Sequence, residues 1–265
     1  MTLQPDFFLF RERKVAYYTT GQGDPLVLLH GWGSRSEWMF SLAEALSDIR
    51  TLIFLDFPGF GSSEAMKEPW TLEDYRSLLL HFLSDVLHIP STDVLVHSFG
   101  CRVLLPMLAD ETDRTHFQKV VITGGAGLTP KRSARYYAKS WFVKLLKAPY
   151  ALLPGPARER GLARLRSSAL WQRLGSSDYR QLSGPLRETF VKTVTHHLDT
   201  LLPQIGHEIL LVWGKRDDAT PLWMGEAMEQ KIPRAVLVSI NDAGHYAFLD
   251  QPQQFQAIVR AYLEG

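Results

Sequence analysis

Three side chains in this sequence are suited to activate one another. Ser98 lies in Val96-His97-Ser98-Phe99-Gly100, at the end of the apolar run Asp93–His97 and directly ahead of an apolar helical stretch. A serine on so sharp a strand-to-helix turn has its hydroxyl thrust out of the sheet. The strained backbone wants small residues two places to either side. Gly100 meets that need, whereas Val96 stands where glycine is usual. The helix beginning after Ser98 also points its positive end at the site, where negative charge on a reacting oxygen would develop. Taken alone, the pattern equally describes a serine that caps a helix.

A neutral serine is a poor nucleophile, so a base has to take its proton during attack. His245, in Ala243-Gly244-His245-Tyr246, is the candidate base. Asp217, in Trp213-Gly214-Lys215-Arg216-Asp217, is the carboxylate that would hold the imidazole in one tautomer and stabilise its cation. The glycine-rich turn His30-Gly31-Trp32-Gly33 lets a backbone N–H face the hydroxyl. With the N–H of Phe99, that of Trp32 makes the candidate oxyanion hole; one such donor is worth about two to three orders of magnitude in rate. The order Ser98, Asp217, His245 is that of a nucleophile–acid–base set on an alternating strand–helix fold. This chemistry calls for neither cofactor nor metal.

Such a set needs a scaffold that brings distant segments together. Strands are expected at Lys14–Thr20, Pro25–Leu29, Thr51–Phe57, Asp93–His97, Lys119–Thr123, Glu208–Trp213 and Arg234–Ile240, with a further one at Phe7–Phe10. From Pro25 onward they read as continuous apolar runs, the pattern of strands buried on both faces of a parallel sheet. Helices are expected at Ser36–Leu46, Leu72–Leu87, Phe99–Leu108, Pro221–Lys231 and Pro252–Leu263, the second opened by Thr71 and Asp74 as a cap. The alternation predicts an α/β fold with helices on both faces. It fails from about Leu128 to Gly206, where only helical patterns remain (Arg135–Lys147, Pro156–Gln172, Ser183–Leu202). That stretch reads as a helical insertion between two core strands.

Composition agrees with a globular chain. Its 265 residues are 45% apolar and 22% charged, which leaves little room for disorder and allows one large domain with an insertion. The single cysteine, Cys101, excludes an intramolecular disulfide framework. No apolar run approaches membrane-spanning length, and the opening residues lack a signal-peptide pattern, so the expected location is cytoplasmic. The net charge of +1 hides a division: Lys131 to Lys192 holds fourteen Lys/Arg against three Asp/Glu, and the remainder fifteen against twenty-five. A region so basic can meet an anionic partner, though solvated helix faces account for it too. No basic–aromatic module for nucleic acid is present.

Taken together, these motifs resemble the α/β-hydrolase superfamily over almost the whole chain. Asp56-Phe57-Pro58-Gly59-Phe60-Gly61-Ser62-Ser63 adds the turn after the family's fourth strand. The resemblance implies a mostly parallel eight-stranded sheet with helices on both faces, formed by residues 1–127 and 207–265. It also implies a helical lid, residues 128–206, inserted after the sixth strand. The expected activity is cleavage of a carboxylic ester or thioester through an acyl-enzyme, without a cofactor. Haloalkane dehalogenases and epoxide hydrolases of this superfamily use an aspartate nucleophile, and position 98 is serine. Two readings stay open beside the esterase: carbon–carbon hydrolysis or pyruvate elimination as in the menaquinone-pathway synthase, and a non-catalytic ligand receptor.

The neighbours of the set carry their own expectations. The resemblance implies that the Trp-Gly-x-x-Asp pattern places the acid at Asp217 and not Asp218, and Asp242 reads as a turn residue. His30 is expected to support the oxyanion turn or touch substrate, and His97 to point away from the pocket. Cys101 reads as a small buried hydrophobe. Arg102, one turn after Ser98, either binds a substrate carboxylate or forms a structural contact. Trp141, with Tyr136, Tyr137, Phe142 and Trp171, is expected to roof an apolar pocket. His196 and His197, read as helical, diverge too far to chelate a metal. The biotin-pathway carrier-protein methyl ester esterases resemble this chain in size, triad and basic lid. That implies an acidic acyl carrier protein as a partner for Arg158, Arg160, Arg164 and Arg166.

Overall fold

The computed structural model describes residues 2–131, 148–150, 153–167 and 184–265. Eight strands form one sheet: β1 (Asp6–Phe10), β2 (Arg13–Gly21), β3 (Pro25–Leu29), β4 (Thr51–Leu55), β5 (Thr92–His97), β6 (Phe117–Thr123), β7 (Ile209–Gly214) and β8 (Ala235–Ile240). Their order is β1-β2-β4-β3-β5-β6-β7-β8; β2 pairs antiparallel with both β1 and β4, and every other pairing is parallel. The sheet is therefore mostly parallel and eight-stranded, as the resemblance implied.

The unbroken apolar runs have a direct cause. Successive side chains of a strand face opposite sides, and here both sides are core. Val27 and Leu29 of β3, Val94 and Val96 of β5, and Leu211 and Trp213 of β7 enter one core. Leu26, Leu28, Leu95, Leu210 and Val212 enter the other. The first core is covered by α1 (Leu72–His81), α2 (Phe99–Ala109) and later α5 (Trp223–Lys231). The second is covered by the Met39–Leu46 segment and α6 (Pro252–Glu264). Between β6 and β7 the insertion carries α3 (Gly155–Ser167) and α4 (Gly184–Val194).

Several element ends differ from expectation, each for a local reason. The strand expected to reach Phe57 stops at Leu55, because Asp56 turns its carboxylate to the N–H groups of Ser36 and Ser62 at 2.8 Å each. The Ser36–Leu46 helix is a 3-10 turn to Leu42 followed by one α-turn, its first N–H held by that same aspartate. The helix from Leu72 loosens into a π-turn over Phe82–Val86. Its start is a capping box: the Thr71 N–H donates to Asp74 Oδ2 at 2.7 Å. The helix expected to run to Leu202 closes at Val194, because the Arg102 guanidinium takes the carbonyls of Thr193 and His196 and the Leu198 N–H turns to Gly127. His196 and His197 consequently lie beyond the helix. Among the described residues no helix is long and apolar enough to cross a membrane.

Candidate functional site

Ser98 adopts φ +50°, a left-handed conformation that a side chain occupies only under constraint. Its N–H donates to the Thr123 carbonyl at 3.1 Å, and its own carbonyl accepts from Cys101 and Ala126. No side-chain bond from Ser98 caps α2, so helix capping does not account for the residue. Gly100 passes β3 so closely that a Cβ would lie 2.7 Å from the Leu29 carbonyl oxygen. Val96 is buried in the first core, paired in register with Leu29 and Ile122, so a branched side chain has a place there.

The loops bearing Asp217 and His245 cross in contact. A Cβ on Gly214 would fall 2.2 Å from the Gly244 carbonyl oxygen, which explains the glycine of Trp-Gly-x-x-Asp. His245 Nδ1 lies 2.8 Å from Asp217 Oδ2. An imidazole that donates from Nδ1 keeps Nε2 unprotonated, ready to accept a proton. Asp217 Oδ1 accepts the N–H groups of Ala219 and Thr220 at 2.9 and 2.8 Å. Burial works against the ionised form of Asp217. The bonds from His245 and Thr220 outweigh it and hold the carboxyl below the usual aspartate range. Asp218 is exposed, and Asp242, at φ +56°, pairs with Arg216 as a turn residue.

Thr220 went unnoticed in the sequence. Its hydroxyl lies 2.9 Å from Asp217 Oδ2, 2.9 Å from the Gly124 carbonyl and 3.2 Å from His245 Nδ1. The signal was its place next to Ala219, on which an Asx-type turn from Asp217 closes, which leaves the Thr220 hydroxyl as a donor beside the carboxylate. Thr220→Val keeps the volume and removes that donor. We expect kcat for a p-nitrophenyl ester to fall about ten-fold, with Thr220→Ser recovering most of it.

Ser98 and His245 line one cavity of about 440 Å³ with Trp32, Phe99, Trp38, Tyr246, Phe190, Val194, Ala126, Arg102 and Thr220. No hydrogen bond joins the Ser98 hydroxyl to the imidazole among the described contacts. In free enzymes such contacts are often long and tighten only with substrate bound. The Phe99 N–H opens α2 and so has no acceptor within its own helix. The Trp32 ring stands between Phe60, Phe99 and Phe190, which anchors the turn carrying its N–H. Trp38, Phe190 and Tyr246 were not singled out from the sequence; only the packing of loops and of α4 makes them neighbours.

Other expectations meet mixed outcomes. His30 does not reach the cavity, which corrects its place among substrate-binding residues. It is buried, its Nε2 accepts the Phe57 N–H at 3.0 Å, and its Nδ1 donates to the Gly31 carbonyl at 2.7 Å. Burial pushes its pKa down against the pull of Asp56, so it is a neutral brace for the turn. Arg102 does line the cavity, yet its Nη1 is spent on the carbonyls of Thr193, at 3.0 Å, and His196. The expected structural contact is therefore to a helix end instead of a carboxylate. Burial pushes the Cys101 thiol up to about 12, which leaves it inert. Trp141 and the other aromatics expected to roof the pocket lie outside the described residues, as does the helix expected at Arg135–Lys147.

Residues 26–258 match the model of a family described as the alpha/beta hydrolase family. The chain belongs to the α/β hydrolase family. Its relatives within it include the biotin biosynthesis bifunctional protein BioHC of Teredinibacter turnerae, 26% identical over 90% of this chain; the chain spans 44% of that protein's length. A pimeloyl-[acyl-carrier protein] methyl ester esterase of Nitrosomonas europaea is 25% identical over 89% of this chain and 94% of its own. Among solved structures, a hydrolase from Pseudomonas aeruginosa superimposes with a TM-score of 0.73 at 19% identity, covering 98% of both chains. This α/β hydrolase thus shares its architecture with proteins whose sequences have diverged widely.

Proposed function

We propose that this α/β hydrolase is a serine esterase that cleaves a carboxylic ester or thioester through an acyl-enzyme. One observation carries the reading: a strained serine and a histidine line the same cavity, and that histidine is bound at 2.8 Å to a buried carboxylate. Ser98 attacks the scissile carbonyl while His245 takes its proton. Asp217 fixes the ring and stabilises the imidazolium. The N–H groups of Trp32 and Phe99 receive the oxyanion. His245 then returns the proton to the leaving group and, as base, activates the water that releases the acyl group. Residues 128–206 act as the lid over a core made of 1–127 and 207–265, and the protein works in the cytoplasm.

The test pairs labelling with turnover. A fluorophosphonate should add to Ser98, located by peptide mass, and a panel of p-nitrophenyl esters of graded chain length should show burst kinetics. Labelling without ester turnover, joined to activity on vinylogous diketo acids, would replace the esterase with the carbon–carbon reading. Tight binding of a small ligand with no turnover would favour a receptor.

The Nitrosomonas europaea relative is named for an ester held on an acyl carrier protein. Arg158, Arg160 and Arg164 are exposed on α3, and the stretch around them is strongly basic. An acidic carrier protein is the partner that this charge suits. Reversing Arg158 and Arg164 to glutamate should raise KM for a carrier-bound ester by about ten-fold or more. KM for small neutral esters should hold steady, and an equal change in both would refute electrostatic docking.

A further inference from the structure

Beneath the cavity lies a ring that this mechanism leaves idle. His97 closes β5 one residue before Ser98 and is 1% exposed. It packs against Tyr246, which also lines the cavity, and against Phe248, at centroid distances of 4.8 and 5.3 Å. Three segments of the candidate site meet on it. It adjoins the nucleophile in the chain. Its ring centroid is 4.6 Å from that of His245, whose carbonyl oxygen lies 3.0 Å from its Nε2. The oxyanion turn rests on it so closely that a Cβ at Gly31 would fall 2.8 Å from its Nδ1.

The protonation of the ring follows from its partner. A carbonyl only accepts, so Nε2 carries the proton and Nδ1 presents a bare lone pair. That lone pair is buried with no hydrogen-bond partner among the described residues. Leaving Nδ1 unpaired is unfavourable; a phenylalanine would remove that atom but would leave the His245 carbonyl without its donor. Packing alone therefore does not explain an imidazole here; the Nε2–H does.

We propose that His97 is a positioning residue: its Nε2–H bond to the His245 carbonyl, with the ring contact above it, sets where the base stands relative to Ser98 and the oxyanion turn. The proposal rests on the roles given to Ser98 and His245 under the proposed function. The titratable groups around His97 include His245, Asp217 and His30, and the Tyr246 ring packs against it. Burial, reinforced by the neighbouring His245, pushes its pKa down to about 3 despite the pull of Asp217 and of the bond to the carbonyl. The ring thus stays neutral through the working range. It keeps its single donor aimed at the carbonyl and places no second cation beside the imidazolium formed during attack.

The experiment compares His97→Phe with His97→Gln on p-nitrophenyl butyrate, with Ser98→Ala in the same assay and thermal melts of all variants. Phenylalanine keeps the ring and loses the donor; glutamine's amide nitrogen ends near the place of Nε2. We expect His97→Phe to melt close to the wild-type temperature, since an unpaired Nδ1 is exchanged for an unpaired carbonyl, while kcat falls about ten- to a hundred-fold with little change in KM. His97→Gln should recover most of that rate. If His97→Phe fails to fold, His97→Asn takes its place, since its amide stops one bond short of the carbonyl. The proposal is overturned if the donor-lacking variant keeps kcat within two-fold of wild type, if the loss falls on KM alone, or if glutamine is as slow as phenylalanine. Should Ser98→Ala itself stay active, the esterase reading fails first. If Ser98→Ala is dead while His97→Phe is fully active, only the role of His97 falls.

Discussion

Replacing Ser98 with alanine is expected to lower kcat/KM for short p-nitrophenyl esters by about 10⁴- to 10⁶-fold, with the melting temperature unchanged or raised. The size follows from what is removed. Without the hydroxyl no acyl-enzyme forms, and only binding and oxyanion stabilisation of a direct attack by water remain. The stability expectation follows from the backbone. Ser98 sits at φ +50° whether or not its side chain reacts, and its hydroxyl caps nothing in α2. Steady-state rates with burst analysis, beside a melt, decide the matter. A variant retaining a tenth of the wild-type rate takes Ser98 out of the mechanism.

Asp217→Asn is the second large effect, about 10⁴-fold in kcat. The carboxylate accepts from His245 Nδ1, from the Thr220 hydroxyl and from two backbone N–H groups. An asparagine amide facing the ring donates where it should accept. It therefore favours the tautomer with its proton on Nε2, the wrong nitrogen for a base. The same carboxylate links the site to pH. Its folded pKa lies below its ordinary value of 3.8, so its contribution to stability is fully present above that value. That contribution is lost as pH falls further, through the depressed folded value. Melts between about pH 5 and pH 2 should show the wild type losing stability faster than Asp217→Asn. Parallel curves would show that the carboxylate gains nothing from its neighbours.

Much of this was readable before any coordinates. Strands β3 to β7 announced themselves because a run such as Leu26-Val27-Leu28-Leu29 has no polar face to offer water, and a two-faced core is the remaining place for it. The glycines at 31, 100 and 214 stood out by spacing, and each proves to be a point where another segment passes too close for a Cβ. Asp217 was separable from Asp218 only through the resemblance, whose Trp-Gly-x-x-Asp pattern places the acid at 217. Local rules of this kind survive because they depend on a residue and its immediate chain neighbours.

What the chain could not disclose depends on distant neighbours. The Thr220 hydroxyl lies 2.9 Å from the Gly124 carbonyl oxygen, 96 positions away, and the Trp70 N–H donates to the Thr189 hydroxyl, 119 away. Arg102 is chemically suited to bind a substrate carboxylate, and only tertiary packing brings its Nη1 to the carbonyls of Thr193 and His196 at the end of α4. His30 was expected to support the turn, but only the fold shows that it does so through the Phe57 N–H and the Gly31 carbonyl, and that His97 bonds to the His245 carbonyl. Sequence patterns determined the elements, the two-faced core and the candidate reacting groups, because periodicity and turn chemistry are local. The tertiary structure alone decided which polar atoms supply their hydrogen bonds, because a buried donor or acceptor takes whichever partner the folded chain brings within about 3 Å.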